Sequence, residues 1–288
     1  MNKGVISSLL AVAASVLLLT SGLIGQDGAP AKGGFGGGKA KEPPPPAGPM
    51  GRLPDGHPDM QGYWNTPAPT DIQAKGKGPS MITDPDDGRI PYRPEAAAKA
   101  KDIGTNHMAD EPELHCFQSG VPHAHWVQFG FQVVQDPKHI VFLWEFMHTV
   151  RIIPTDGRPH ISPEVKLFMG DPLGHYEGDT LVVDTTNHNH KTWMDYSGNF
   201  KPATVTVLEK FTGTDNNTLA YSATVTDPAT YTKPWTVSTN YRRQGARFPD
   251  GSRDYEQMEF ACFEGQRDLN HYTEDKGGKQ KNVLNPKQ

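Results

Sequence analysis

From residue 127 onward the chain is dominated by short runs of alternating apolar and polar residues, each closed by a turn signal. Runs at 127–135 and 139–146 are split by Asp136-Pro137-Lys138, and the run at 149–154 ends at Asp156-Gly157. Residues 176–184 read as strand, tight turn and strand around Gly178. Runs at 204–212 and 219–226 flank Asp215-Asn216-Asn217, and two more follow at 235–243 and 255–263. Side chains alternate across a strand, so a period of two predicts strands with one buried face. Asp, Asn, Gly and Pro between such runs predict hairpins. The one helix seed is residues 94–101, where a proline start precedes an alanine run. The pattern predicts an all-β fold of about nine or ten strands with few short helices. An up-and-down antiparallel barrel or strongly curved sheet is favoured, because closure removes edge strands. A β-sandwich is the alternative.

The first residues predict export. Lys3 precedes an apolar and small-residue stretch at 5–19, and Thr20-Ser21-Gly22 and Ala29-Pro30-Ala31 offer small residues for cleavage. Residues 1–25 read as a secretory signal, with an uncleaved anchor as the alternative. Residues 26–50 are rich in Gly, Pro, Ala and Lys and predict a disordered tether. Residues 51–274 then form one β domain, and residues 275–288 a disordered polar tail. Within the tether, Gly33 to Lys39 imitates the start of a phosphate-binding loop. Ala40 stands where Ser or Thr would hold magnesium, so nucleotide binding is rejected.

Export implies a periplasmic or secreted location and an oxidising compartment. Cys116 and Cys262 are the only two cysteines, and one disulfide between them is expected, with two separate buried thiols as the alternative. Loop entropy would give such a long cross-link about 5 kcal/mol at most. The net charge of −5 argues against a nucleic-acid partner. A mean hydropathy of −0.61 excludes a multi-span membrane protein. Membrane contact is expected only through an uncleaved signal.

Gly62-Tyr63-Trp64 resembles the Gly-x-Trp first-strand motif of lipocalins, in which the tryptophan plugs one barrel end. Further segments are Pro58-Asp59-Met60-Gln61, residues 151–159, Met169-Gly170-Asp171, Lys191-Thr192-Trp193, Asp227-Pro228, Pro234-Trp235 and residues 256–264. The most specific is Glu177-Gly178-Asp179-Thr180-Leu181-Val182-Val183-Asp184-Thr185-Thr186-Asn187. Together these resemble a family of secreted bacterial proteins of uncharacterised activity. The resemblance implies export and one β domain, and no particular reaction.

Candidate site residues follow from the alternating faces. Glu209 shares a face with Val205, Val207 and Phe211, and the next strand offers Leu219, Tyr221, Ala223 and Val225. A carboxylate aimed into that interior is raised in pKa by burial, unless a cation compensates, which makes a general acid or base at neutral pH. The alternative is a Glu paired with an arginine or reaching solvent. Arg151 lies in an apolar strand and needs Glu209 or Glu145 as partner; such a pair is structural as readily as catalytic. Asp184, Asn187, Lys191 and Trp193 are read either as polar hooks at a barrel mouth or as turn chemistry. Trp193, Trp235 and Tyr221 would form the walls of a ligand site.

His123-Ala124-His125 and His188-Asn189-His190 would each set two imidazoles on one face of an extended segment. They form a zinc or copper site or, as favoured, exposed loop histidines. No metal and no cofactor is expected. The leading function is binding of a small, partly apolar or glycan-like ligand. The alternatives are a cofactor-free hydrolase, lyase or isomerase using Glu209 or Asp184 with Arg151, and a structural envelope protein. No feature sets an oligomeric state.

Overall fold

The turn residues do make hairpins, and the hairpins curl round to meet. The structure is a computed structural model that describes residues 48–73, 80–245 and 255–262. Its barrel strands are β1 (Gly62–Trp64), β3 (Phe131–Asp136), β4 (His139–Trp144), β5 (Val150–Pro154), β6 (Asp171–Glu177), β7 (Thr180–Thr186), β8 (Thr206–Asp215), β9 (Thr218–Thr226) and β10 (Trp235–Gln244). Their ladders are all antiparallel and run in the order β5-β4-β3-β1-β10-β9-β8-β7-β6. Read as a circle, each strand follows its sequence neighbour, and β1 closes the ring between β3 and β10. This is a nearly closed barrel of nine strands. The short β2 (Ile82–Asp84) pairs with the start of β10, outside the ring.

The seam lies between β5 and β6. Glycine makes the close approach there possible: a Cβ on Gly174 would sit 2.9 Å from Ile153 Cγ2. Elsewhere the alternation sets the layers. Along β8, Val207, Glu209 and Phe211 are buried, while Thr206, Leu208 and Lys210 are exposed. Glu209 lies between Val183 and Ala223, and Phe211 between Leu181 and Tyr221. Turns are held by aspartates. Asp136 Oδ1 accepts from Lys138 N at 2.7 Å and His139 N at 2.9 Å, and Asp215 Oδ1 from Asn217 N at 2.7 Å.

Aromatic rings fill the barrel. Phe131, Phe142, Trp144, Phe211, Tyr221 and Tyr241 are all buried, and a large-to-small change at one such ring costs about 3–5 kcal/mol. Trp64, fully buried, donates to Met60 O at 2.9 Å, and the Arg243 guanidinium lies 4.4 Å from its ring centre.

Several boundaries differ from the sequence expectation. The helix α1 (Pro94–Asn106) continues beyond residue 101 and buries none of its residues. Residues 127–130 are not strand; a 3-10 turn at His123–Trp126 and the left-handed Gly130 (φ 94°) lead into β3. Residues 255–261 are not strand either. They cross the Phe146–His148 turn as an extended strap, which ends where Cys262 is joined to Cys116. The disulfide is therefore present, but it ties down a strap and not a last strand.

The expected signal and the polar tail lie outside the described residues, as does the tether up to residue 47. Residues 48–50 pack on the barrel: Gly48 O accepts from Asn216 N at 2.8 Å, and Met50 covers Gly213. Among the described residues no helix is long and apolar enough to cross a membrane.

Candidate functional site

The centre of the barrel holds an ion pair. Arg151 points inward from β5, and its Nη1 donates to Glu209 Oε1 at 3.0 Å while Nη2 meets Glu209 Oε2. Nη2 also donates to Thr185 Oγ1 at 2.8 Å. Glu209 accepts further from Tyr221 OH and Thr185 Oγ1, both at 3.1 Å. His125 Nε2 lies 3.1 Å from Glu209 Oε1, and its ring stacks on Tyr221 at 4.5 Å. Burial lowers the His125 pKa, which keeps the ring neutral. Nε2 faces a carboxylate, so it carries the proton and donates.

Burial pushes the Glu209 carboxyl up, but the Arg151 charge and the His125 bond outweigh it and hold it well below the usual range. It is an ionised acceptor with its oxygens engaged, the arginine-paired alternative of the sequence reading. Such a group anchors a core rather than carrying a proton at neutral pH.

A second buried polar group adjoins the first. Lys201 Nζ donates to Val121 O at 3.0 Å and faces His188 Nδ1 at 3.4 Å. Burial and the Arg151 charge push its pKa down to about 7. His188 is held well below its ordinary value by burial and the Lys201 charge. The sealing loop needs glycine, since a Cβ on Gly120 (φ 70°) would lie 2.7 Å from Lys201 Nζ and 2.6 Å from Phe168 O.

Beyond Lys201, His123 Nδ1 lies 3.4 Å from Glu113 Oε1. Burial and the Lys201 charge push His123 down to about 3. Burial, with Glu111 beside it, pushes Glu113 up to about 8, against the opposing Ser119 and Tyr196 hydroxyls. Burial pushes Glu111 up to about 7. Its Oε2 accepts from Leu114 N at 3.0 Å and caps the 3-10 turn Pro112–His115. A carboxyl that keeps its proton near neutrality, beside a neutral imidazole, can act as a general acid.

Of the sequence candidates, the structure brings Arg151, Glu209 and Tyr221 together and separates the rest. Asp184 points out of the barrel toward His160 Nε2 at 3.4 Å, on the opposite face of β7 from Thr185. Asn187 takes a left-handed conformation (φ 58°) and donates to Ser162 O at 2.7 Å and Val165 O at 3.0 Å. These bonds reach 25 and 22 residues back and fasten the 162–165 loop to the end of β7, so Asn187 is neither a hook at a barrel mouth nor a local turn residue. Lys191 is exposed. Trp193 is buried on the Phe200 bridge, and Trp235 is fully buried with its ring 5.6 Å from Tyr231.

The exposed-histidine reading holds for His190 and fails for His123, His125 and His188. His123 and His125 sit in a 3-10 turn, not an extended segment, so one meets Glu113 and the other Glu209. Among the described residues, no group of three or more His, Cys, Asp and Glu side chains is placed to hold a metal ion. Lys201, Glu111 and Glu113 were not found from sequence. Polar residues in an irregular stretch read as solvated, and no local pattern marks them as buried.

Outside the barrel, a groove of about 430 Å³ crosses β7–β10. Outward residues of four adjacent strands line it, chiefly Thr180, Thr212, Lys210, Ser222, Ser238 and Asn240. Thr180 Oγ1 and Thr212 Oγ1 are 2.8 Å apart, and Glu177 at the rim lies 3.9 Å from Lys210 Nζ. A cavity of about 260 Å³ near the β3–β4 turn is lined by Asp55, Asp136 and the stacked rings of His57 and Tyr176, 3.8 Å apart.

Fold and site together define an antiparallel β-barrel braced by a central ion pair, with a hydroxyl-lined groove on its outer face. No family model, curated protein or solved structure matches the chain.

Proposed function

We propose that this is an exported β-barrel protein that binds a small, glycan-like ligand in the outer groove of β7–β10. One observation carries the reading: hydroxyls from adjacent strands, an amide and a Lys–Glu pair converge on one groove. Its volume lies within the usual range for small-ligand sites, about 300–1,000 Å³. Such a donor and acceptor set matches a ligand that is itself rich in hydroxyls. The barrel centre is occupied by Arg151, Glu209, Tyr221 and their aromatic neighbours, which favours the outer face over the interior. Export is supported by the signal-like first residues, the family resemblance and the disulfide, a bond that persists in oxidising compartments.

The test is a glycan array followed by titration calorimetry, with Lys210→Ala/Asn240→Ala as the comparison. Both side chains are exposed, so the fold is left intact. Loss of one or two good hydrogen bonds predicts binding weaker by about tenfold or more. A variant that binds as well as the parent overturns the groove as the site. Failure of both to bind any glycan overturns the ligand class.

A second reading has its own observation. Glu113, pushed up to about 8 beside His123, is a buried carboxyl suited to general acid catalysis in a cofactor-free hydrolase, lyase or isomerase. Under that reading Glu113→Gln abolishes turnover while groove binding persists. Intact turnover in that variant rejects it.

A further inference from the structure

The strap formed by residues 255–262 is pinned at its start, middle and end, beginning with Tyr255, whose ring meets Tyr63 edge-on at 5.4 Å. Tyr255 OH and Met258 N both donate to Glu145 Oε2 at 2.9 Å, and Phe260 N donates to His148 Nε2 at 3.1 Å. The Phe260 ring lies 4.9 Å from Phe146 and 5.9 Å from Phe129. Among the described residues no ladder joins the strap to the sheet. Its far end is fixed covalently, Cys262 to Cys116.

The attachment points share a second property. Six described non-glycine residues have a left-handed backbone, and Cys116 (φ 61°), Phe129 (φ 77°), Met147 (φ 57°) and His148 (φ 46°) are among them. Cys116, Phe129 and His148 each touch the strap directly, and Met147 lies between two residues that do. Such conformations are unfavourable for residues with a side chain and persist where the surroundings over-determine them, often at clamps and switches. Here the strap is a large part of those surroundings. Both cysteines are only partly buried, so a reductant can reach the bond.

We propose that residues 255–262 are a thiol-released latch over an aromatic seat. A dithiol reductant opens it. One of its sulfurs, as thiolate, attacks a sulfur of the Cys116–Cys262 bond; that bond breaks and a mixed disulfide forms. The second thiol of the reductant resolves the mixed disulfide. The reductant ends as a disulfide, and its two electrons and two protons end on Cys116 and Cys262 as thiols. The freed strap leaves Phe146 and Glu145, both buried beneath it, open to solvent beside Phe129. The left-handed turns are then free to relax. This latch is independent of the groove on β7–β10.

Hydrogen–deuterium exchange on the whole protein, before and after dithiothreitol, tests the latch. The amides of Met258 and Phe260 are expected to exchange about tenfold faster or more on reduction, while those of β8 and β9 stay unchanged. The double variant Cys116→Ser/Cys262→Ser, without reductant, is expected to match the reduced protein. Unchanged exchange at Met258 and Phe260 would show that the noncovalent contacts suffice, and overturns the latch. Faster exchange throughout β8 and β9 would make the disulfide a brace for the whole barrel, and overturns it equally.

Discussion

Removing one partner of the central ion pair gives the most informative single prediction. In Arg151→Met, Glu209 keeps its charge with no exposure and loses both guanidinium bonds. In Glu209→Leu, Arg151 keeps its charge with Thr185 as its remaining acceptor, while Tyr221, Thr185 and His125 lose theirs. An uncompensated buried charge costs about 3–5 kcal/mol. At roughly 2–4 °C per kcal/mol for a domain of this size, each single variant should melt about 6–20 °C lower. The double variant replaces the pair with apolar side chains. Its residual cost is the donors of Tyr221, Thr185 and His125 left without the carboxylate, about 1–3 kcal/mol each. With both charges gone, it should be less destabilised than the sum of the singles, about 6–10 kcal/mol. Urea unfolding followed by tryptophan fluorescence, with the disulfide intact throughout, measures all four corners of the cycle. Singles costing under about 1 kcal/mol, or a double equal to their sum, would refute the account of Glu209 as a structural anchor.

Linkage predicts a pH effect at Glu113. Its folded pKa of about 8 stands above the ordinary 4.5, so its contribution is fully present below 4.5 and is lost as pH rises through 8. Relative to the parent, Glu113→Gln should thus gain stability progressively between pH 5 and pH 8, and parallel unfolding midpoints at those two values would rule this out. Gly130→Ala should cost at least about 2 kcal/mol, from strain plus overlap. Gly130 has φ 94° and its Cβ would lie 2.4 Å from Trp64 O. The control is Gly157→Ala, where φ is 75° and nothing lies within 4 Å. That change should cost only about 1 kcal/mol, the conformational part alone. Equal losses at the two sites in thermal melts would refute the steric argument.

The sequence by itself determined the hairpins, their turns and the faces of the strands, because alternation and Asx turns act between residues a few positions apart. That is why β8 places Glu209 inward and why Asp136 and Asp215 cap their turns. The tertiary structure decided which inward groups meet. Arg151 and Glu209 are 58 residues apart and face each other only because the meander closes. It also decided that Lys201, Glu113 and three of the four paired histidines are buried, since burial in a loop depends on what the rest of the chain lays over it. The same holds for residues 255–261. Their alternation suits a strand, but Glu145 and His148, at the β4–β5 turn, take the Met258 and Phe260 amides, and Cys116 takes Cys262, so they cross that turn as a strap instead. Local patterning sets faces; barrel closure, a contest among distant segments for the same edges, sets partners.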